Sequence, residues 1–167
     1  MRRPGSRVDP RGAWRYDSGV ATATRPRPLE MVAMTPDRVI ETCLCVDDLD
    51  AAEAFYVGVL GLDLLTKQPG RHVFFRIGQG MFLLFDARES SKPGPAGIPP
   101  HGTTGPGHAA FAVQESELEA WRVRLRAHGV AIDSDYEWPG GGRSLYFRDP
   151  SGNCLELTTP KTWGMPS

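Results

Sequence analysis

A fifteen-residue segment occurs twice in this chain. Arg71 to Phe85 (RHVFFRIGQGMFLLF) lies without a gap on Arg143 to Leu157 (RSLYFRDPSGNCLEL), and five of the fifteen positions are identical, where average composition gives about one. Such a repeat constrains the fold more than any single motif, because both copies must form the same unit. Each copy reads as two strands around a turn, Gly78-Gln79-Gly80 in the first and Asp149-Pro150-Ser151-Gly152 in the second.

What precedes each copy also repeats. A strand over Val39–Val46 runs into the acidic cap Asp47-Asp48 and a helix whose Ala52, Phe55, Tyr56 and Val59 share one face, ended by Gly61. Strands follow near Asp63–Thr66, Arg71–Ile77 and Met81–Asp86. After a Pro/Gly-rich stretch the order returns: a strand over His108–Val113, a helix opened by a capping box at Ser116–Glu119, its stripe Leu118, Trp121 and Leu125, the closing pair His128-Gly129, and three more strands. The expected class is α+β, with two tandem βαβββ modules forming an eight-stranded, incompletely closed barrel-like sheet around a cavity. Module one covers about residues 38–88, a linker 89–106, and module two 107–160, followed by a short tail, 161–167.

Residues 1–36 carry seven Arg against Asp9, Asp17 and Glu30, a balance of +4 within a net charge of −1. They show no periodicity, and a basic, Pro-rich disordered tail is expected. The remaining −5 gives no reason to expect a nucleic-acid partner. No run reaches the roughly 20 apolar residues of a membrane helix, and Cys43, Cys45 and Cys154 lack metal-ribbon or redox-pair spacing. A soluble protein in the reducing cytoplasm is expected.

The opening run Val-Ile-Glu-Thr-Cys-Leu-Cys-Val46, with Ala54-Phe55-Tyr56 and Val59-Leu60-Gly61-Leu62, and the closing run Tyr146-Phe147-Arg148-Asp149-Pro150-Ser151-Gly152-Asn153-Cys154-Leu155-Glu156-Leu157 resemble the glyoxalase/bleomycin resistance/dioxygenase, or vicinal oxygen chelate, superfamily. The resemblance implies metal ligands on the first and last strands of each module. It points to Glu41, His108 and Glu156, with Leu84, the residue the ungapped repeat sets against Glu156, in the fourth place. One divalent ion (Mn, Fe, Ni or Zn) would act as Lewis acid on vicinal oxygens of a small-molecule substrate, in a lyase, dioxygenase or thiol-transferase reaction. Glu156 and Tyr146 are the catalytic candidates, and Arg71, Arg143 and Tyr146 the substrate contacts. By analogy with the family the chain forms a homodimer.

Other readings of these residues stay open. Relatives of the bleomycin-resistance type sequester small molecules without metal, and Leu84 fits that class. Glu41 would also suit a solvated strand, and Arg71 and Arg143 two exposed strand ends. The cysteines would suit small buried positions, and His72 and His101 the surface.

Overall fold

The structure, a computed structural model, describes residues 36–94 and 97–166, together with the backbone of Arg7–Val8 and Trp14–Arg15. The chain divides into two compact units, residues 1–37 and 38–167. In the first, Arg7–Val8 pairs antiparallel with Trp14–Arg15. The expected disordered tail otherwise lies outside the described residues.

The second unit holds both modules. Module one is β1 (Glu41–Val46), α1 (Leu49–Gly58), β2 (Asp63–Gln68), β3 (His72–Ile77) and β4 (Gly80–Asp86), followed by one helical turn, α2 (Ala87–Ser90). Module two is β5 (His108–Ala112), α3 (Leu118–Ala127), β6 (Ile132–Glu137), β7 (Arg143–Arg148) and β8 (Cys154–Thr158). The eight expected strands are present as two open four-stranded sheets, ordered β1-β4-β3-β2 and β5-β8-β7-β6. In each, the first strand runs parallel to the last, and the helix supplies the crossover that parallel pairing requires.

Local chemistry explains the helix starts. Asp48 caps α1 by accepting from the amides of Asp50 and Ala51 at 3.0 and 2.9 Å. The expected cap at Ser116 is corrected. A 3-10 turn over Glu115–Glu117 leads into α3, and the Glu117 carboxylate accepts from the Gln114 amide at 2.9 Å. The chain turns at Gln114, straight after the strand, so Ser116 falls inside the turn and its side chain is not the cap.

One apolar core joins the modules. Leu44, Tyr56, Phe75, Phe82 and Leu84 of module one share a buried cluster with Phe111, Leu125, Leu145, Phe147 and Leu155 of module two. The rings of Phe82 and Phe111 meet edge to face at 5.2 Å. Strand alternation then decides the opposite faces. On β5, His108, Ala110 and Ala112 are exposed while Ala109 and Phe111 are buried; on β1, Glu41 to Cys43 are exposed and Leu44 and Val46 are buried. Among the described residues no helix is long and apolar enough to cross a membrane.

The sheets correct the alignment of the repeat. On β1 and β5, Cys43 stands opposite Leu83 and Ala110 opposite Glu156. On the other side Leu83 pairs with Phe74 and Glu156 with Tyr146. The position equivalent to Glu156 is therefore Leu83, not Leu84, whose side chain is fully buried in the core. The cause is the turn: Ile77 pairs with Gly80 in one hairpin, but Arg148 pairs with Cys154 in the other. The longer turn takes up one residue, which an ungapped alignment cannot show.

Candidate functional site

His108 and Glu156 come together on adjacent parallel strands. The His108 Nδ1 lies 2.9 Å from the Cys154 carbonyl, which can only accept, so Nδ1 carries a proton and Nε2 is the nitrogen that a neutral imidazole presents as a ligand. That Nε2 is 3.4 Å from Glu156 Oε2. The other carboxylate oxygen, Oε1, accepts from Ser144 Oγ at 2.5 Å. Glu156 is 6% exposed while the His108 side chain is half exposed, so the pair opens outward from a buried base. The Tyr146 ring lies nearly parallel to the His108 ring at 6.5 Å. Burial first, and the Glu156 carboxylate second, hold its phenol above the usual range, so Tyr146 offers a proton and does not take one.

Glu41 belongs to a different surface. It lines a cavity of about 370 Å³ with Thr42, Cys43, Leu83, Phe85 and His101. His72 and His101, expected at the surface without partners, both join the aromatic residues of this face. His72 stacks on Phe74 at 4.0 Å, and His101 meets the edge of Phe85 at 4.5 Å. Burial first, and Arg71 second, hold the His72 imidazole below its ordinary pKa. No periodic signal marks His101, because the linker delivers it. The amides of His101 and Gly102 both donate to the Ser90 carbonyl, and a Cβ on Gly102 would sit 2.3 Å from Ser91 Oγ.

Among the described residues no three His, Cys, Asp or Glu side chains gather as a ligand cluster within the chain. Of the three expected ligands, His108 and Glu156 meet and Glu41 does not join them. Arg143 donates from Nε to Asp135 Oδ1 at 2.8 Å, and Arg71 is half-buried at the start of β3. The three cysteines are free, with Cys43 exposed and Cys45 and Cys154 half-buried. Desolvation first, then Cys45 and Glu41, raises the Cys43 thiol, which disfavours a thiolate nucleophile there.

The His108–Glu156 pair fits a divalent cation. Two donors about 2.1 Å from one ion stand about 3.0 Å apart at a right angle and about 3.4 Å apart at the tetrahedral angle. The observed separation lies at the upper end of that span. The pinned imidazole presents Nε2, and the carboxylate held at Oε1 presents Oε2, on either side of that gap.

Comparison with known proteins decides the family. Residues 38–157 match the model of the Glyoxalase/Bleomycin resistance protein/Dioxygenase superfamily. The chain belongs to this superfamily. Its structure resembles the crystal structure of a lactoylglutathione lyase from Agrobacterium tumefaciens with a TM-score of 0.76 and 44% identity, covering 79% of this chain and all of that one. Metallothiol transferase FosB of Bacillus licheniformis is 30% identical over 115 residues, 68% of this chain and 70% of that protein. FosB of Shouchella clausii is 41% identical over 54 residues, 31% of this chain and only 37% of its own length. The superfamily match spans both modules and all three ligand candidates, and leaves out residues 1–37.

Proposed function

We propose that this superfamily member is a divalent-metal-dependent enzyme acting on a small molecule with adjacent oxygens, through lyase, dioxygenase or thiol-transferase chemistry. The observation that carries this reading is the 3.4 Å approach of His108 Nε2 to Glu156 Oε2, with Nδ1 pinned behind it. When bound, the cation supplies Lewis acidity toward substrate oxygens. The Tyr146 hydroxyl then donates a hydrogen bond to an oxygen that gains negative charge, which its raised pKa suits. Arg71 and Arg143 stand at equivalent strand starts as contacts for an anionic group, although Arg143 shares its guanidinium with Asp135.

The third ligand in this reading is Glu41 of a second copy of the chain. The faces bearing Glu41 and His108 are both exposed, while the backs of the two sheets are packed together. A twofold dimer sets one module's open face against the other module's open face of its mate and completes two equal sites. Cytoplasmic residence, which keeps the three free cysteines reduced, belongs to the same reading.

Elemental analysis of the purified protein beside a Glu156→Gln variant tests the proposal. The expected result is about one Mn, Fe, Ni or Zn per chain, lost in the variant. Wild-type protein that stays empty when these metals are supplied would overturn it in favour of metal-free ligand sequestration. With metal present, activity screens begin with the lyase and thiol-transfer chemistries of the relatives.

A further inference from the structure

The hydroxyl of Ser144 has one proton and, within 3.0 Å, three hydrogen-bond partners. Ser144 Oγ lies 2.5 Å from Glu156 Oε1, 2.9 Å from Trp138 Nε1 and 2.9 Å from Thr158 Oγ1. The indole N–H can only donate, so it fills one lone pair of the hydroxyl, and a carboxylate can only accept, so the Ser144 proton goes to Oε1. Thr158 Oγ1 packs against the remaining side of the hydroxyl at 2.9 Å and gives its own proton to Thr162 Oγ1 at 3.0 Å. The indole N–H on one side and the carboxylate on the other direct the Ser144 proton to Oε1. Ser144 is wholly buried and Thr158 6% exposed, so water does not compete freely for these bonds.

The fold itself does not ask for this chain of hydroxyls. By strand register the positions equivalent to Ser144, Tyr146, Glu156 and Thr158 are His72, Phe74, Leu83 and Phe85. Module one builds the same sheet with aromatic and apolar side chains at those places. The polar set therefore serves what is particular to module two, the Glu156 carboxylate.

We propose that Ser144 is a positioning residue that occupies Oε1 and so makes Glu156 hold a divalent cation through Oε2 alone, beside His108. Trp138 acts one step further back, by donating to the Ser144 oxygen and so orienting its proton. This rests on the metal-dependent reading of the same site.

The test uses the full chain with Mn(II) alone for affinity and Co(II) alone for its visible absorption. Ser144→Ala is expected to weaken Mn(II) binding by about 10- to 100-fold, the range for loss of a group supporting a ligand. It should also alter the Co(II) spectrum, because Oε1 is released toward the ion. Ser144→Thr, which keeps the hydroxyl, should restore both. Trp138→Phe, which leaves Ser144 in place, should cost about 2- to 5-fold, less than loss of the hydroxyl.

Ser144→Ala with Mn(II) affinity within about twofold of wild type and an unchanged Co(II) spectrum overturns the inference and leaves the metal reading standing. Wild type that binds neither ion removes both. Should Ser144→Ala fail to fold, an unchanged affinity and spectrum in Trp138→Phe overturns it.

Discussion

Tyr56, buried on α1 of the first module, donates its hydroxyl to Oδ2 of Asp149 in the second at 2.9 Å. Asp149 is itself only 4% exposed, and it also accepts from the amides of Ser151 and Asn153 and from the Asn153 side chain. Burial first, then Asp149, drives the Tyr56 pKa far upward, so the phenol stays a donor across the working pH range. Asn153 Nδ2 reaches on to the Cys45 carbonyl at 3.0 Å. One carboxylate and one amide thus tie the second module's turn to the first module's helix and strand.

Tyr56→Phe removes the donor and leaves the ring. The expected loss is about 1.5 kcal/mol of unfolding free energy, the low end for a bond to a charged group, since Asp149 keeps its other three donors. Urea denaturation of the two proteins measures it. An unchanged midpoint would show that the inter-module bond contributes nothing net.

The sheet register separates two adjacent leucines. Leu84→Glu places a carboxylate in the sealed core and should cost more than about 4 kcal/mol or prevent folding. Leu83→Glu places it where the second module carries Glu156, and should leave a folded protein that binds Mn(II) about tenfold more tightly or better. Circular dichroism and Mn(II) titration read both outcomes. Equal damage from the two substitutions would contradict the register.

If each site combines Glu41 of one copy with His108 and Glu156 of another, two dead variants rescue each other. Glu41→Gln and His108→Ala are each expected to bind no stoichiometric metal when pure. Co-refolding equal amounts should restore about a quarter of the sites, through heterodimers with one intact site. Metal content after gel filtration reads this directly. A mixture that stays empty, with heterodimers shown to be present, would place all the ligands within one chain or remove Glu41 from the set.

Asp135 predicts an acid-side dependence of stability. Its hydrogen bond from Arg122 first, and a further one from Arg143, hold its carboxyl below the usual range. A depressed folded pKa contributes stability above the unfolded value of about 3.9 and loses it as pH falls through the folded one. Since the side chain is 29% exposed, the pair is expected to be worth about 1 kcal/mol. Asp135→Asn should therefore destabilise near neutral pH, and the gap from wild type should close as the pH falls through the depressed folded pKa. A gap that persists unchanged in acid would mean that packing, not charge, sets the cost.

Much of this was legible from residues alone. The repeat around Arg71 and Arg143 required like units, but alternation along β1 and β5 pointed to one shared inward face for Glu41, Cys43, Cys45, His108, Ala110 and Ala112, whereas Glu41 and Cys43 line a surface that does not include His108. The opening of α3 and the fourth ligand position were misread for one reason. Ser116 and Leu84 each lie one or two places from the residue that matters, and one inserted turn residue or one tight bend after a strand moves a side chain to the opposite face. His101 was invisible because nothing local distinguishes it, and its place follows from the close approach of Gly102 to Ser91.

The sequence by itself determined the two βαβββ modules, the buried faces of their helices and the types of donor available, because hydrophobic period, capping and turn chemistry act over a few residues. Tertiary structure alone decided which donors meet. His108 and Glu156 converge because β5 and β8 pair in parallel with a fixed register, and Glu41 stays apart because the modules bury their backs against each other and turn their open faces outward. Contacts of that kind depend on pairing between distant strands and on the packing of whole sheets, which no local pattern encodes.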